Sequence, residues 1–152
     1  MSLESVRAFF RDKAPDVAVI ETADSSSTVE LAAKAHDVEP AQIAKTICLS
    51  VGDKVLLVVT SGTARLDNRK IKDAFGGKGR MLGADEVLAA TSHPVGGVCP
   101  FGLPSPLPIY CDVSLRRFAE VVPAAGSTNA AVKIATDRLA ALTDAIWVDV
   151  CR

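Results

Sequence analysis

The chain has 152 residues, 49% of them apolar and 23% charged, which is enough to bury one sizeable core in a single domain spanning 1–152. A net charge of −1 and a pI near 6.1 argue against a broad electrostatic grip on nucleic acid, DNA included. No apolar run approaches the roughly 20 residues of a membrane span, and no secretory leader is evident, so a cytoplasmic protein is expected.

Leu3, Val6, Phe9 and Phe10 recur at helical spacing and predict an N-terminal helix over 3–13, ended by Pro15. Val17–Ile20 reads as a short strand. Ser27 with Glu30 fits a capping box for a helix reaching His36, with Leu31, Ala32 and Ala35 as its apolar stripe. Pro40 opens a short helix towards Lys45. Thr46–Val51 and Lys54–Thr60 flank Gly52-Asp53 and predict a hairpin whose second strand is buried on both faces. Asp67 caps a helix through Phe75 that Gly76 ends. Gly76-Gly77-Lys78-Gly79 closes a helix instead of opening one, and so is a poor phosphate loop. A short helix over Ala84–Ala90 turns Val87 and Leu88 inward. Leu107–Asp112 is a strand, Ser114 caps a helical turn, and Phe118–Val122 reads as strand or helix. Ala130–Ile134 reads as a strand, Thr136 caps a last helix carrying Leu139 and Leu142, and Ile146–Val150 is a final strand. The irregular interleaving lacks a βαβ rhythm and predicts an α+β domain with a mixed, barrel-like sheet surrounded by helices.

Three features draw attention as sites. Gly96 to Pro106 packs three glycines and three prolines into eleven residues. Such a loop is either a tight connection or the floor of a small-molecule site, because glycine permits close approach and proline fixes the backbone. Arg65, Arg69, Lys70, Lys72, Lys78 and Arg80 face only Asp67 and Asp73, which makes a solvated helix face or a local phosphate-binding patch. Cys48, Cys99, Cys111 and Cys151 show no metal-ligand spacing and only His36 and His93 accompany them, so reduced thiols and no metal are expected.

Lys45-Thr46, Leu66-Asp67-Asn68-Arg69-Lys70, Gly96-Gly97-Val98-Cys99-Pro100-Phe101-Gly102 and Ala124-Ala125-Gly126-Ser127 occur in an order that resembles the YbaK-type family. These domains occur free or inserted in prolyl-tRNA synthetases and hydrolyse wrongly charged prolyl-tRNA. The resemblance covers essentially the whole chain, and its most specific pieces are Lys45 and the G-x-x-x-P loop from Gly96 to Pro100. It implies a trans-acting aminoacyl-tRNA deacylase that uses no cofactor and no side-chain nucleophile, with a hydroxyl of the terminal ribose assisting. The acceptor end of tRNA(Pro) is the implied ligand and prolyl-tRNA synthetase the candidate partner.

In the family the lysine holds the tRNA 3′ end, the role carried over to Lys45, and the loop holding Gly96, Gly97 and Pro100 lines the ester pocket. An aminoacyl ester is already activated, so positioning and oxyanion stabilisation suffice, and the N–H groups of Gly97, Val98 or Cys99 are candidate donors. Thr28, Thr46, Phe101, Ser127 and Asn129 are candidates for shaping the pocket, and Gly96 is the position where a β-carbon is expected to obstruct the ester more than the fold. Arg65, Arg69 and Lys70 are candidates for tRNA phosphates. Some family members carry a histidine near the turn at 127–129, which this chain lacks. Two rivals stand beside this reading: a thiol hydrolase with Cys99 as nucleophile and His93 as base, and a tRNA- or synthetase-binding module without turnover.

Overall fold

In the computed structural model, which describes residues Ser2 to Arg152, the fold is built on a central hairpin of strands β2 (Ile43–Val51) and β3 (Lys54–Ser61). Gly52 takes φ +63° in the two-residue turn between them, as hairpin geometry demands. Leu56 to Ser61 are buried, as the apolar run of β3 predicts. The first strand begins earlier than expected. A 3₁₀ turn, Pro40–Gln42, gives way at Ile43, so Lys45 lies within the strand and not at a helix end. Ile43 and Ile47 on one face and Ala44 and Cys48 on the other both find apolar partners, and that two-sided burial draws the segment into the sheet.

Before the hairpin lie helix α1 (Ser2–Lys13), strand β1 (Ile20–Glu21) and helix α2 (Val29–His36). After it come α3 (Asn68–Phe75), β4 (Gly79–Met81), α4 (Ala84–Thr91), β5 (Ile109–Asp112) and β6 (Glu120–Pro123). The chain ends through β7 (Ala130–Ala131), β8 (Ile134–Ala135), α5 (Thr136–Leu142) and β9 (Ile146–Val148). The main sheet runs β8-β6-β2-β3-β5-β9, with β4 also on β2, and curls into a half-barrel; β1 and β7 form a separate pair. Neighbours β2–β6, β3–β5 and β5–β9 are parallel and the others antiparallel, giving the mixed α+β architecture expected. The largest core cluster packs α1 (Val6, Phe10) against Phe101, Leu115, Val121 and Leu139.

Several boundaries differ from the sequence reading. Thr28, not Ser27, caps α2: its Oγ1 accepts from the Leu31 N–H at 3.1 Å. The buried side of α2 is Ala32, Ala33 and His36, while Leu31 is exposed. Likewise Val87 of α4 is buried but Leu88 is exposed, because only one face of this short helix meets the sheet. The strand expected at 17–20 survives only as Ile20–Glu21, and the one expected at 130–134 divides at Val132-Lys133, its halves pairing with β1 and β6. Asp112, not Ser114, caps the 3₁₀ turn Val113–Arg117 by accepting the Ser114 N–H at 2.9 Å. Thr136 is the first residue of α5 and its hydroxyl donates to the Phe118 carbonyl at 2.6 Å instead of capping. Asp67 does cap α3, accepting from Arg69 and Lys70 N–H, and Gly76 at φ +76° ends it.

Candidate active site

Strand β2 has an interrupted outer edge. β6 pairs with it only at Ile43–Ala44, and β4 only at Leu49–Val51. The Leu82 N–H donates to the Cys48 carbonyl at 3.3 Å on that edge. Backbone polar groups alternate along a strand, so the N–H and C=O of Thr46 face the same edge, in the stretch neither neighbour covers. The Thr46 Oγ1 is itself buried and has no hydrogen-bond partner among the described residues. A buried hydroxyl left unpaired is costly and rare unless a ligand completes it.

A cavity of about 270 Å³ opens at this gap. Of the residues singled out from sequence, Lys45, Thr46, Thr28, Gly96 and Val98 line it. Its walls are mostly apolar, from Ala32, Ile43, Val122 and Ala131 among others. Lys45 and Thr46 point their side chains to opposite faces of β2, and both residues line the cavity. The Lys45 ammonium donates to the Ala64 carbonyl at 2.6 Å. Burial pushes its pKa below the ordinary lysine value, with the nearby Arg65 charge adding to the depression and Glu30 opposing it in part.

The glycine loop is held by packing. Gly96 takes φ +93°, and a β-carbon there would lie 2.8 Å from Ser27 Cβ. The expectation that this carbon would disturb the ester more than the fold is therefore corrected: it strains the backbone and strikes the neighbouring wall first. A β-carbon on Gly97 would lie 2.8 Å from the Ser127 backbone nitrogen. There the Gly97 carbonyl accepts from the Gly126 N–H at 3.0 Å, while the Gly97 N–H donates to Pro94 O at 2.9 Å. That N–H is committed, which removes it from the candidate oxyanion donors and leaves Val98 and Cys99.

Pro100 and Phe101 are buried behind the cavity, and Phe101 packs edge-on against Phe10 with ring centroids 4.6 Å apart. Cys99 is fully buried, and burial pushes its thiol up to about 12. Its Sγ lies 3.5 Å from His93 Nε2, but that nitrogen also faces the Phe101 carbonyl at 2.8 Å, where it must be the donor. A nitrogen that donates there cannot take the thiol's proton, and neither side chain lines the cavity, so the Cys99–His93 pair is not an accessible nucleophile and base.

Ser127 and Asn129 also stand outside the lining. Ser127 Oγ donates to Asn129 Oδ1 at 2.9 Å, and Asn129 Nδ2 donates to the Thr22 carbonyl at 3.0 Å, so both fix the turn that supports Gly97. Arg65 and Arg69 are exposed outside the cavity, with Arg65 close enough to Lys45 to depress its pKa. Lys70 Nζ is engaged by Asp149 at 2.9 Å and the Cys151 carbonyl at 2.8 Å.

The serine run is legible in the sequence only as a helix cap, yet Ser26 and Ser27 form a wall of the cavity. Ser26 is fixed there by its N–H donating to Thr128 O at 2.6 Å. Met81 and Val95, 66% and 61% exposed, edge the cavity and carry no sequence signal beyond being apolar. Among the described residues no group of three or more His, Cys, Asp or Glu is placed to hold a metal, and no helix is long and apolar enough to cross a membrane.

Comparison with known proteins bears on the family and the fold. The model of the aminoacyl-tRNA editing domain family matches residues 23–142. The "Uncharacterized protein YwhH" of Bacillus subtilis (strain 168) is 44% identical, over 100% of this chain and 98% of that protein. A crystal structure described as "a putative trans-editing enzyme for prolyl tRNA synthetase" superposes with a TM-score of 0.92 at 32% identity, covering 99% of this chain and 97% of that one. The crystal structure of "hypothetical protein APE2540" superposes at 0.90 with 28% identity, over 97% and 99% of the two chains. On the extent of these matches, the chain belongs to the aminoacyl-tRNA editing domain family.

Proposed function

We propose that this protein is a trans-acting deacylase that hydrolyses tRNA(Pro) mischarged with a small non-cognate amino acid such as Ala or Cys. The observation that carries the reading is the cavity at the open edge of β2, where an unpaired hydroxyl and a half-buried ammonium meet apolar walls. An apolar pocket separates a methylene by only ~1–3 kcal/mol, so a second site that removes the wrong ester is what a synthetase for a small amino acid needs. Water attacks the acyl carbon, assisted by the free hydroxyl of the terminal ribose. The carbonyl electrons move onto oxygen, and collapse expels the ribose oxygen, which takes the proton. The products are the free amino acid and tRNA with an intact 3′ end.

In this scheme no side chain of the protein changes covalently. Its residues hold the ester and stabilise the oxyanion, for which one well-aimed donor contributes roughly 3–4 kcal/mol. Lys45 releases Ala64 to meet a phosphate or ribose oxygen, and Arg65 and Arg69 extend the positive path outward, with Lys70 beside them. Prolyl-tRNA synthetase is the proposed partner that delivers the substrate. The test is deacylation of tRNA(Pro) charged with Ala, Cys, Ser, Thr, 2-aminobutyrate or Pro by wild type and Lys45→Ala. The reading requires at least one mischarged species to be hydrolysed well above background, with the rate lost in Lys45→Ala. Binding of tRNA with no ester hydrolysed would make the protein a binding module instead.

A further inference from the structure

The gap in β2 has the size and polarity of a missing piece of sheet. Between the last residue paired to β6, Ala44, and the first paired to β4, Leu49, four residues have no strand neighbour on that edge among the described residues. Within them Thr46 presents one N–H donor and one C=O acceptor outward, with its own hydroxyl unpartnered beside them. A strand residue offers its neighbour the complementary pair, one donor and one acceptor separated by a single Cα. An aminoacyl ester has that same arrangement: an α-ammonium, one tetrahedral carbon and an acyl carbonyl.

Resting on the deacylase reading above, we propose that the aminoacyl group docks as a one-residue rung on β2. Its α-ammonium donates to the Thr46 carbonyl and Oγ1, and its acyl oxygen accepts the Thr46 N–H. This accounts for two observations that the fold leaves unexplained, the interrupted ladder and the orphaned hydroxyl. It also brings a fixed backbone donor to the oxygen on which charge develops, which replaces the Gly97 N–H that is bound to Pro94. The proposal makes the α-amino group, and not the amino-acid side chain alone, a recognition element. The apolar walls around Ala32 and Ala131 are left to receive the side chain.

The experiment pairs two kinds of ester with two kinds of protein. tRNA(Pro) is acylated with L-alanyl, L-seryl and L-2-aminobutyryl groups and with their deamino counterparts, propionyl, 3-hydroxypropionyl and butyryl. Each enzymatic kcat/KM is divided by the uncatalysed hydrolysis rate of the same ester, because an α-ammonium activates an ester by itself. Wild type is expected to favour the aminoacyl member of its preferred pair by more than tenfold after this correction. Thr46→Val, which keeps shape and backbone but removes the hydroxyl, is expected to lose roughly ten- to hundredfold on the aminoacyl ester, the range for a hydrogen bond to a charged group. On the deamino ester the same substitution should change the rate less than about twofold, and Thr46→Ser should restore the aminoacyl rate. Equal corrected rates for both members, or an equal loss in Thr46→Val on both, overturns the rung and leaves the deacylase reading standing. Wild type hydrolysing none of these esters, and no cysteinyl or threonyl ester of tRNA(Pro) either, removes that reading, and the rung with it.

Discussion

Filling the cavity separates a site from a packing defect. Ala32 lies on the buried face of α2, is 8% exposed and lines the cavity together with Ile43, Val122 and Ala131. Ala32→Leu adds three carbons beside about 270 Å³ of empty space, at a helix position where leucine is nearly as favourable as alanine. Burying three methylene equivalents at ~0.8 kcal/mol each is worth about 2.4 kcal/mol, and the restricted leucine rotamers return roughly 0.5–1 of it. A net gain near 1.5 kcal/mol corresponds to a Tm higher by about 3–6 °C for a chain of this size. Deacylation, in contrast, should fall by at least about a hundredfold, because the added atoms occupy the space proposed for the acyl group. Thermal unfolding and initial rates on mischarged tRNA(Pro) measured on the same preparation read both effects. A variant that is more stable and fully active would refute the cavity as the acyl site.

Three further outcomes follow from the same geometry. Gly97→Ala forces a β-carbon to within 2.8 Å of the Ser127 backbone, so urea unfolding should show a loss of about 1–3 kcal/mol and the deacylation rate should drop with it; unchanged stability would mean that the loop and turn do not touch. Burial holds Cys99, Cys111 and Cys151 as neutral thiols up to about pH 12. At pH 8 only about one in 10⁴ of these three thiols is thiolate, so each of the three, read site by site by mass spectrometry of the native protein, should react with iodoacetamide at least roughly 10³-fold more slowly than free cysteine, and rapid native labelling of Cys99 would revive a thiol mechanism. Lys45 carries a pKa lowered by burial, so it loses its charge as pH rises through a value below that of an ordinary lysine. The alkaline fall in kcat/KM should therefore come early in wild type and move to higher pH in Lys45→Arg; an unmoved limb would take Lys45 out of the titration.

The hairpin and the α3 cap are readable in the sequence because local signals and tertiary demands agree there. Gly52-Asp53 suits the turn, Leu56 to Val59 suit burial on both faces, and Asp67 has free N–H groups directly ahead of it. Lys45 and the Gly96 loop are picked out by the resemblance of their order to the editing family, because by residue type alone the one is an ordinary lysine and the other an ordinary connection. What cannot be read is the interruption between β6 and β4. The strand at Gly79–Met81 has no strand-like pattern of its own and exists because Leu49 to Val51 offer it an edge. Composition is equally silent about the cavity walls, where Val122 and Ala131 look like any core residue and only their position beside the gap makes them a pocket. Ser127 and Asn129 show the converse, with polar residues in a suggestive turn spending their hydrogen bonds on the turn itself.

The central claim is that the aminoacyl ester is held in the gap of β2. It is tested most directly by titrating ¹⁵N-labelled protein with 3′-alanylamino-3′-deoxyadenosine, a stable amide mimic of the charged tRNA end, and following backbone amide shifts. The largest saturable changes are expected at Thr46, with smaller ones at Thr28, Gly96 and Val98, which surround the cavity. Saturable shifts that leave Thr46 and its neighbours unmoved and gather elsewhere on the surface would contradict it.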